Sequence, residues 1–399
     1  MNKIRSGLLT LLVSAVLVAC GGGDPDVPGS GAPSGAPSTK GTFTALVSFG
    51  DSLSDVGTYA PATSLAGNGA APYFGGKFTT NSDANTDTVW VENLAATLSL
   101  VVTPAEVGFN GSSVQCPAAA NPALASTCTA YGQGGARVTN PAGIGKTPTG
   151  QGALTVPLQQ QIANHLTRFT SFRDTDLIVV WGGNNDVLVQ FSAFATAATQ
   201  IQANAAAGNI TADEANRQLF EAQTLAQGAV KQAALELAGY VKTEILAKGG
   251  KYVAVVNLPD IGDTPFGQSI TSVSARTVLS DLSRLFNLWL NDGLTNQPVR
   301  LIDMYTAYKA IVATPAQYGF AVANVPACDA AKISAITGGQ ITDGSSLFCN
   351  GTAGAPYNGL RTGADVNTWL FADGVHPTTG GHKALSDTIA AQLASFGWI

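Results

Sequence analysis

Histidine is scarce in this chain, with three among 399 residues, and charged side chains make up only 12%. Any chemistry that needs an imidazole therefore draws on His165, His376 or His382. The 20 Lys and Arg, set against 26 Asp and Glu, never gather into the basic patch that a phosphate backbone requires, so no nucleic-acid partner is expected. Cysteine never falls in a C-x-x-C pair or beside a histidine, which removes the spacing of a structural zinc site. A nucleotide loop is missing as well. Gly145-Lys146-Thr147 resembles the end of one, but the first glycine of G-x-x-x-x-G-K-[ST] would be Asn140, followed by Pro141. Asn81, Asp83, Asn85, Asp87 and Glu92 imitate the alternation of a calcium loop, yet the glycine needed at its sixth position is Thr86. No metal, nucleotide or other cofactor is expected.

Long apolar runs are also absent. The one at residues 8–19 is too short to span a bilayer and follows Lys3 and Arg5, the pattern of a removable export signal. It ends in Leu17-Val18-Ala19-Cys20, which resembles the bacterial lipobox, implying that Cys20 is acylated and becomes the mature N-terminus. Several acyl chains on one residue anchor stably where a single chain would not. Gly21, in place of Asp, implies the outer membrane, with a plain secretory signal as the alternative. Residues 21–42 are rich in Gly, Pro and Ser with almost nothing to bury, and read as a flexible tether. The expected organisation is a leader at 1–20, this tether, and one α/β domain at 43–399 carrying helical insertions.

After Cys20 four cysteines remain, an even number that fits disulfides in an oxidising compartment. Three connectivities are possible. Cys116 with Cys128, and Cys328 with Cys349, is the pairing expected here, since each closes one Gly/Pro/Asn-rich loop with little core of its own.

Residues 44–49, 176–181, 251–257 and 299–303 are short apolar runs with no polar alternation, the signature of parallel strands covered on both faces. Helical periodicity fills the gaps. Thr211 and Glu214 form a capping box, and Leu219, Ala226, Val230, Ala234, Leu237, Val241 and Ile245 recur at helical spacing; further helices are expected at 278–290 and 383–396. Strand-helix alternation predicts an α/β layer fold with a parallel sheet.

The stretch ALVSFGDSLSDVG at 45–57 halts an apolar run at Gly50 and presents Ser52, at the place where open α/β sheets put their ligands. A serine hydroxyl needs a base to become a nucleophile. His165 lies inside a helical pattern and is expected at a surface or satisfied position, while His382, at the start of the last helix, is expected to be exposed. His376 sits in a turn-rich loop with Asp373 three residues earlier, a spacing that lets the carboxylate fix the imidazole tautomer. Glycine-rich stretches at 131–137 and 181–186 offer N–H donors to a developing oxyanion.

These four pieces, in this order, resemble the GDSL family of lipases and esterases, the SGNH hydrolases. Gly50-Asp51-Ser52-Leu53-Ser54-Asp55 matches the first block and implies Ser52 as nucleophile, with its own N–H as an oxyanion donor. Gln133-Gly134-Gly135-Ala136 matches the second, implying Gly134 as a donor with Gly135 one residue away. Gly183-Asn184-Asn185-Asp186 matches the third and implies Asn185, with Asn184 in the variable position. Asp373 to Pro377 matches the fifth and implies the acid Asp373 and the base His376. No G-x-S-x-G elbow surrounds Ser52, which separates this chain from the α/β-hydrolases. The resemblance implies a flavodoxin-like three-layer α/β/α sandwich and hydrolysis of short to medium acyl esters, or of glycerolipids and phospholipids, through an acyl-serine. Residues 192–248 and 306–365 look like insertions that could wall the acyl pocket. An acyltransferase, a carbohydrate acetylesterase and a non-catalytic surface lipoprotein stay open as alternatives, and the expected partners are the ester or lipid substrate and a membrane reached through Cys20.

Overall fold

The computed structural model describes residues 31–66, 76–84 and 86–399. The leader, Cys20, the first part of the tether and Asn85 lie outside the described residues.

Strands β1 (Ala45–Gly50), β4 (Asp176–Trp181) and β5 (Tyr252–Val256) are buried along their whole length, and β6 (Arg300–Ile302) closes the edge. Between them, β2 (Glu106–Phe109) and β3 (Ser112–Gln115) form a separate hairpin that the apolar pattern does not announce, since β3 is exposed throughout. The large sheet is parallel in the order β1-β4-β5-β6, with Leu46 opposite Leu177, Ile178 opposite Val253 and Val255 opposite Leu301. Residues 129–131 add to the free side of β1, where the Ser48 N–H donates to Thr129 O at 3.0 Å and the Tyr131 N–H to Ser48 O at 2.8 Å. Counting that segment, the order is the flavodoxin-like 2-1-3-4-5. The order reverses at β1, so the carboxyl ends of β1 and β4 flank the crevice where such sheets bind ligands.

The helices are α1 (Ala60–Ala66), α2 (Trp90–Thr97), α3 (Leu158–Phe169), α4 (Asn184–Ala206), α5 (Ala212–Tyr240), α6 (Pro265–Ser269), α7 (Val273–Gly293), α8 (Met304–Ala313), α9 (Ala330–Ile336) and α10 (Thr379–Ser395). Eight of them fall into two packed sets, α3 to α7 on one hand and α2, α8 and α10 on the other, giving the two outer layers of an α/β sandwich. Strand side chains buried on both faces contribute about 1.5–3 kcal/mol each, which is why the strands read as unbroken apolar runs. Thr211 caps α5 through the Glu214 N–H at 3.2 Å, as its spacing foretells. The periodic positions Val241 and Ile245 lie beyond the end of α5, in a π turn at Val241–Ile245 followed by a tight turn at Leu246–Lys248 that lets Gly249 close the helix at φ +98°.

Two expectations are corrected. The second half of the tether, where described, is not free: Trp398 O accepts from the Gly41 N–H, and Pro37 O accepts from the Trp398 indole at 2.8 Å. Proline lowers the entropy lost on ordering, and these bonds satisfy the carbonyls. His382 is fully buried, because α10 begins at Thr379 and turns that residue onto its inner face. Its Nδ1 accepts from the Trp90 N–H and its Nε2 donates to Phe78 O, and burial pushes its pKa down to about 3.

Both expected disulfides are present, Cys116–Cys128 and Cys328–Cys349. Among the described residues no helix is long and apolar enough to cross a membrane, and no cluster of His, Cys, Asp and Glu could hold a metal ion. The calcium-like series is dismantled by Lys77, whose ammonium pairs with Glu92 at 2.8 Å and donates to Asp87 O.

Candidate active site

Gly50 ends β1 where its backbone passes within a side chain's width of β4: a Cβ there would lie 2.5 Å from Trp181 O. The Gln161 side chain fixes the same residue from α3, accepting from the Gly50 N–H at 2.9 Å and donating to Gly50 O at 2.8 Å. The chain then turns into a one-turn helix at Ser52–Ser54, capped by Asp51 Oδ1, which accepts from the Leu53 N–H at 3.1 Å. The other Asp51 oxygen accepts from the Asn184 side chain at 3.1 Å. Ser52 is therefore aimed by a carboxylate shared between the turn after β1 and the first turn after β4. Burial raises the Asp51 pKa to about 6 against those hydrogen bonds, so near neutral pH it is mostly ionised.

Asp55 performs the corresponding task for the second loop. Its Oδ1 accepts from the Gly57 and Thr58 N–H groups and its Oδ2 from the Gly134 N–H at 2.9 Å, while burial again lifts its pKa to about 6. As folded, the Gly134 amide thus faces the Asp55 carboxylate and not open space, unlike the free donor expected from sequence. Gly135, at φ +77°, and Ser52 have N–H groups with no acceptor among the described residues. The third loop leaves β4 through Gly183 at φ +116°, a left-handed conformation that suits glycine, and starts α4. Asn185 Nδ2 donates to Ala136 O at 2.9 Å, and Asp186 receives the Val138 N–H and the Arg137 guanidinium at 2.9 Å each. Loops two and three are thereby locked together, leaving one Asn185 Nδ2 hydrogen for another acceptor.

The turn before α10 completes the site. Asp373 Oδ1 accepts from the Val375 and His376 N–H groups at 2.9 and 2.8 Å, His376 Nδ1 lies 2.8 Å from Asp373 Oδ2, and His376 Nε2 lies 2.8 Å from Ser52 Oγ. Burial works against a charge on either partner, but each stabilises the other: His376 is raised above the ordinary imidazole value by Asp373, with Asp51 and Asp343 adding to it, and Asp373 is held well below the usual carboxylate range. A hydroxyl, an imidazole and a buried carboxylate in series at these distances can move a proton from serine to histidine while the imidazolium is stabilised. Phe78 packs beside the imidazole, with ring centroids 4.9 Å apart.

His165, by contrast, is remote from this chemistry, and it is neither at the surface nor satisfied. It is buried against Phe172 at 4.4 Å, with Phe49, Tyr131 and Phe169 around it and no hydrogen-bond partner for either ring nitrogen among the described residues. Its pKa drops to about 4, through burial and then Arg173 and Arg168.

A cleft of about 490 Å³ opens along the Asp373–Gly374 turn, walled by Phe266, Val325, Pro326 and Arg361. The later of the two insertion-like regions supplies much of this wall, and the earlier one, most of α4 and all of α5, supplies none of it. Sequence reasoning missed Gln161, Asp51, Asp55 and Ser346, the last of which donates its N–H to Asp373 Oδ2 at 2.8 Å. Asp51 and Asp55 carried a signal, being carboxylates inside an otherwise apolar and small-residue stretch, whereas Gln161 and Ser346 carried none.

A family model described as GDSL-like lipase/acylhydrolase matches residues 46–389. The chain is similar to a phosphatidylcholine-sterol acyltransferase of Aeromonas hydrophila, 24% identical over 90% of this chain and 93% of that protein. It is also similar to an uncharacterized protein of the trpE-trpG intergenic region in Pseudomonas putida, 26% identical over 89% of this chain, and to the anther-specific proline-rich protein APG of Arabidopsis thaliana, 23% identical over 53% of it. The chain spans about half the length of the Pseudomonas protein and a third of the Arabidopsis one.

Proposed function

The chain belongs to the GDSL-like lipase/acylhydrolase family, and on that premise we propose that it is a serine esterase or lipase that cleaves carboxylic esters through an acyl-enzyme at Ser52. The observation that carries this reading is the unbroken series Ser52 Oγ, His376 Nε2, His376 Nδ1, Asp373 Oδ2, with both contacts at 2.8 Å. His376 takes the Ser52 proton as Oγ attacks the ester carbonyl, and Asp373 stabilises the imidazolium. The proton then passes to the leaving alcohol, and water, activated by the same imidazole, releases the acid. The oxyanion is met by the Ser52 N–H and the uncommitted Asn185 hydrogen. Gly134 joins them by sharing its N–H with Asp55, a three-centre arrangement.

The cleft with apolar Phe266, Val325 and Pro326 on its wall is lined by Asp373 but not by Ser52 or His376, and short to medium acyl esters are the substrate class the family reading supports. Transfer of the acyl group to an alcohol is the second reading, favoured by the similarity to the Aeromonas acyltransferase along nearly the whole of both chains. In the cell we place the enzyme on the outer membrane through an acylated Cys20, or secreted. Nitrophenyl esters of increasing chain length, with and without an added long-chain alcohol, test both readings. Free acid as the sole product supports hydrolysis, a new ester supports transfer, and no turnover of any ester contradicts the proposal.

A further inference from the structure

Asp373 is held from its own turn by the Val375 and His376 N–H groups, and from outside that turn, among the described residues, by one donor, the Ser346 N–H at 2.8 Å on Oδ2. Ser346 opens a short turn, Ser346–Phe348, that precedes Cys349 and has little regular structure behind it. The Gly76 N–H donates to Leu347 O at 3.1 Å and the Cys328–Cys349 bridge holds the end of the turn, and the most heavily bonded side chain on it is Asn81. This side chain is buried, at 1% exposure, and its Nδ2 hydrogens are shared among Ser346 O at 3.1 Å, Cys349 O at 3.3 Å, Lys77 O at 2.9 Å and Thr79 O at 3.0 Å. Its Oδ1 accepts from the Lys77 N–H at 3.1 Å. The backbone repeats the connection, with the Asn81 N–H given to Cys349 O at 2.9 Å and the Gly351 N–H given to Asn81 O at 2.8 Å.

Between Lys77 and Thr79 stands Phe78, the ring that packs beside His376. One asparagine thus joins the segment that covers the base to the turn that holds the acid, although it touches neither His376 nor Asp373 itself. We propose that Asn81 is a positioning residue for the Asp373–His376 pair, acting through the Ser346 N–H on one side and Phe78 on the other. The inference rests on the triad reading above. An amide is suited to this post because two hydrogens and one oxygen face carbonyls and an N–H at once, whereas Asp would set a carboxylate against four carbonyl oxygens and Ala would leave them without a donor.

Two variants test it. Asn81→Ala removes the clamp. Ser346→Pro replaces the donor to Asp373 by a ring carbon and so breaks that contact, at the first position of a turn and after Ser345, whose extended backbone (φ −47°, ψ 127°) accepts a following proline. For each folded variant we expect kcat to fall by about tenfold to a hundredfold with KM unchanged, in line with a small misplacement of catalytic groups. The downfield proton resonance of the His376–Asp373 hydrogen bond broadens or disappears, and Ser52 is labelled more slowly by a fluorophosphonate. Wild-type kcat, resonance and labelling rate in folded Asn81→Ala would overturn the inference. If Asn81→Ala does not fold, wild-type kcat, resonance and labelling in folded Ser346→Pro overturn the inference equally, since Asn81 acts through that donor. Labelling separates this failure from that of the functional reading: a wild-type protein that is not labelled at Ser52 refutes the triad, whereas equal labelling of wild type and variants refutes only the role of Asn81.

Discussion

The two halves of the site are held by different means. The nucleophile half sits on the ends of β1 and β4, its turn capped by Asp51 and tied to the neighbouring loop by Asp55, all within reach of the central sheet. The acid–base half hangs on an irregular region, where Asp373 depends on a turn inside the Cys328–Cys349 loop and that turn depends on Asn81, some 265 residues away in the chain. Rigid strands aim the first, and long-range hydrogen bonds aim the second. The difference predicts that damage to the sheet side acts on folding and chemistry together, while damage to the loop side can detune chemistry in a folded protein.

The largest effect should come from removing the pair that spans the halves. Ser52→Ala and His376→Ala should each lower kcat by about 10⁴–10⁶, and the double variant should lose no more than either alone, since members of one catalytic unit are not additive. In the wild type the rate should rise with pH through an apparent pKa above the ordinary imidazole value of 6.5, because only neutral His376 can accept the proton and Asp373 favours its charged form. Steady-state kinetics from pH 5 to 9 checks both; retention of that limb in His376→Ala would break the comparison. Next in size is Asn185→Ala, expected to reduce kcat by about 10²–10³ with KM nearly unchanged, as a donor that matters chiefly in the transition state should. Equal loss in Asn184→Ala would show that the nucleophile half is being disturbed through Asp51 instead.

The disulfides sharpen the contrast. Replacing either pair by alanines should cost about 2–4 kcal/mol in a denaturant melt. Loss of Cys328–Cys349 should also lower kcat, because it loosens the turn that carries Ser346, whereas loss of Cys116–Cys128 should leave kcat alone. Comparable in size is the acid sensitivity contributed by His165. With a folded pKa of about 4 and an ordinary value near 6.5, the unfolded chain binds a proton between those limits that the folded one refuses, so this residue's contribution is present above 6.5 and is lost as pH falls toward 4. Asp51 and Asp55, raised to about 6 from 3.8, act in the opposite sense over nearly the same window. The test is thus the difference between wild type and His165→Leu, which should shift by roughly 3 kcal/mol in favour of the variant from pH 7.5 to pH 4. A difference independent of pH would mean the imidazole is not as dry as its aromatic surroundings require.

The same contrast governs what was legible in the sequence. The three strands β1, β4 and β5 and the capped start of α5 could be read because burial on both faces and local capping write themselves into neighbouring residues, whereas the edge strand β6, expected to be covered on both faces, buries only Ile302. That Ser52, Asp373 and His376 would lie together could be read because so few histidines compete and each block keeps its short spacing. The supports could not. Gln161 holds Gly50 across 111 positions and Ser346 holds Asp373 from a loop with no periodic pattern, so neither leaves a local trace. His382 misled for a related reason: a polar residue at a helix start looks exposed unless the packing of α2 against α10 is known.

The account stands on Ser52 becoming acylated, and that adduct can be observed directly. The protein is mixed with a nitrophenyl ester, quenched in acid during the initial burst, digested and analysed by peptide mass. The account predicts one acyl group on the peptide containing Ser52, absent from Ser52→Ala and accumulating in step with the nitrophenol burst. Ester turnover with the acyl group on another residue, or at full rate in Ser52→Ala, would contradict it.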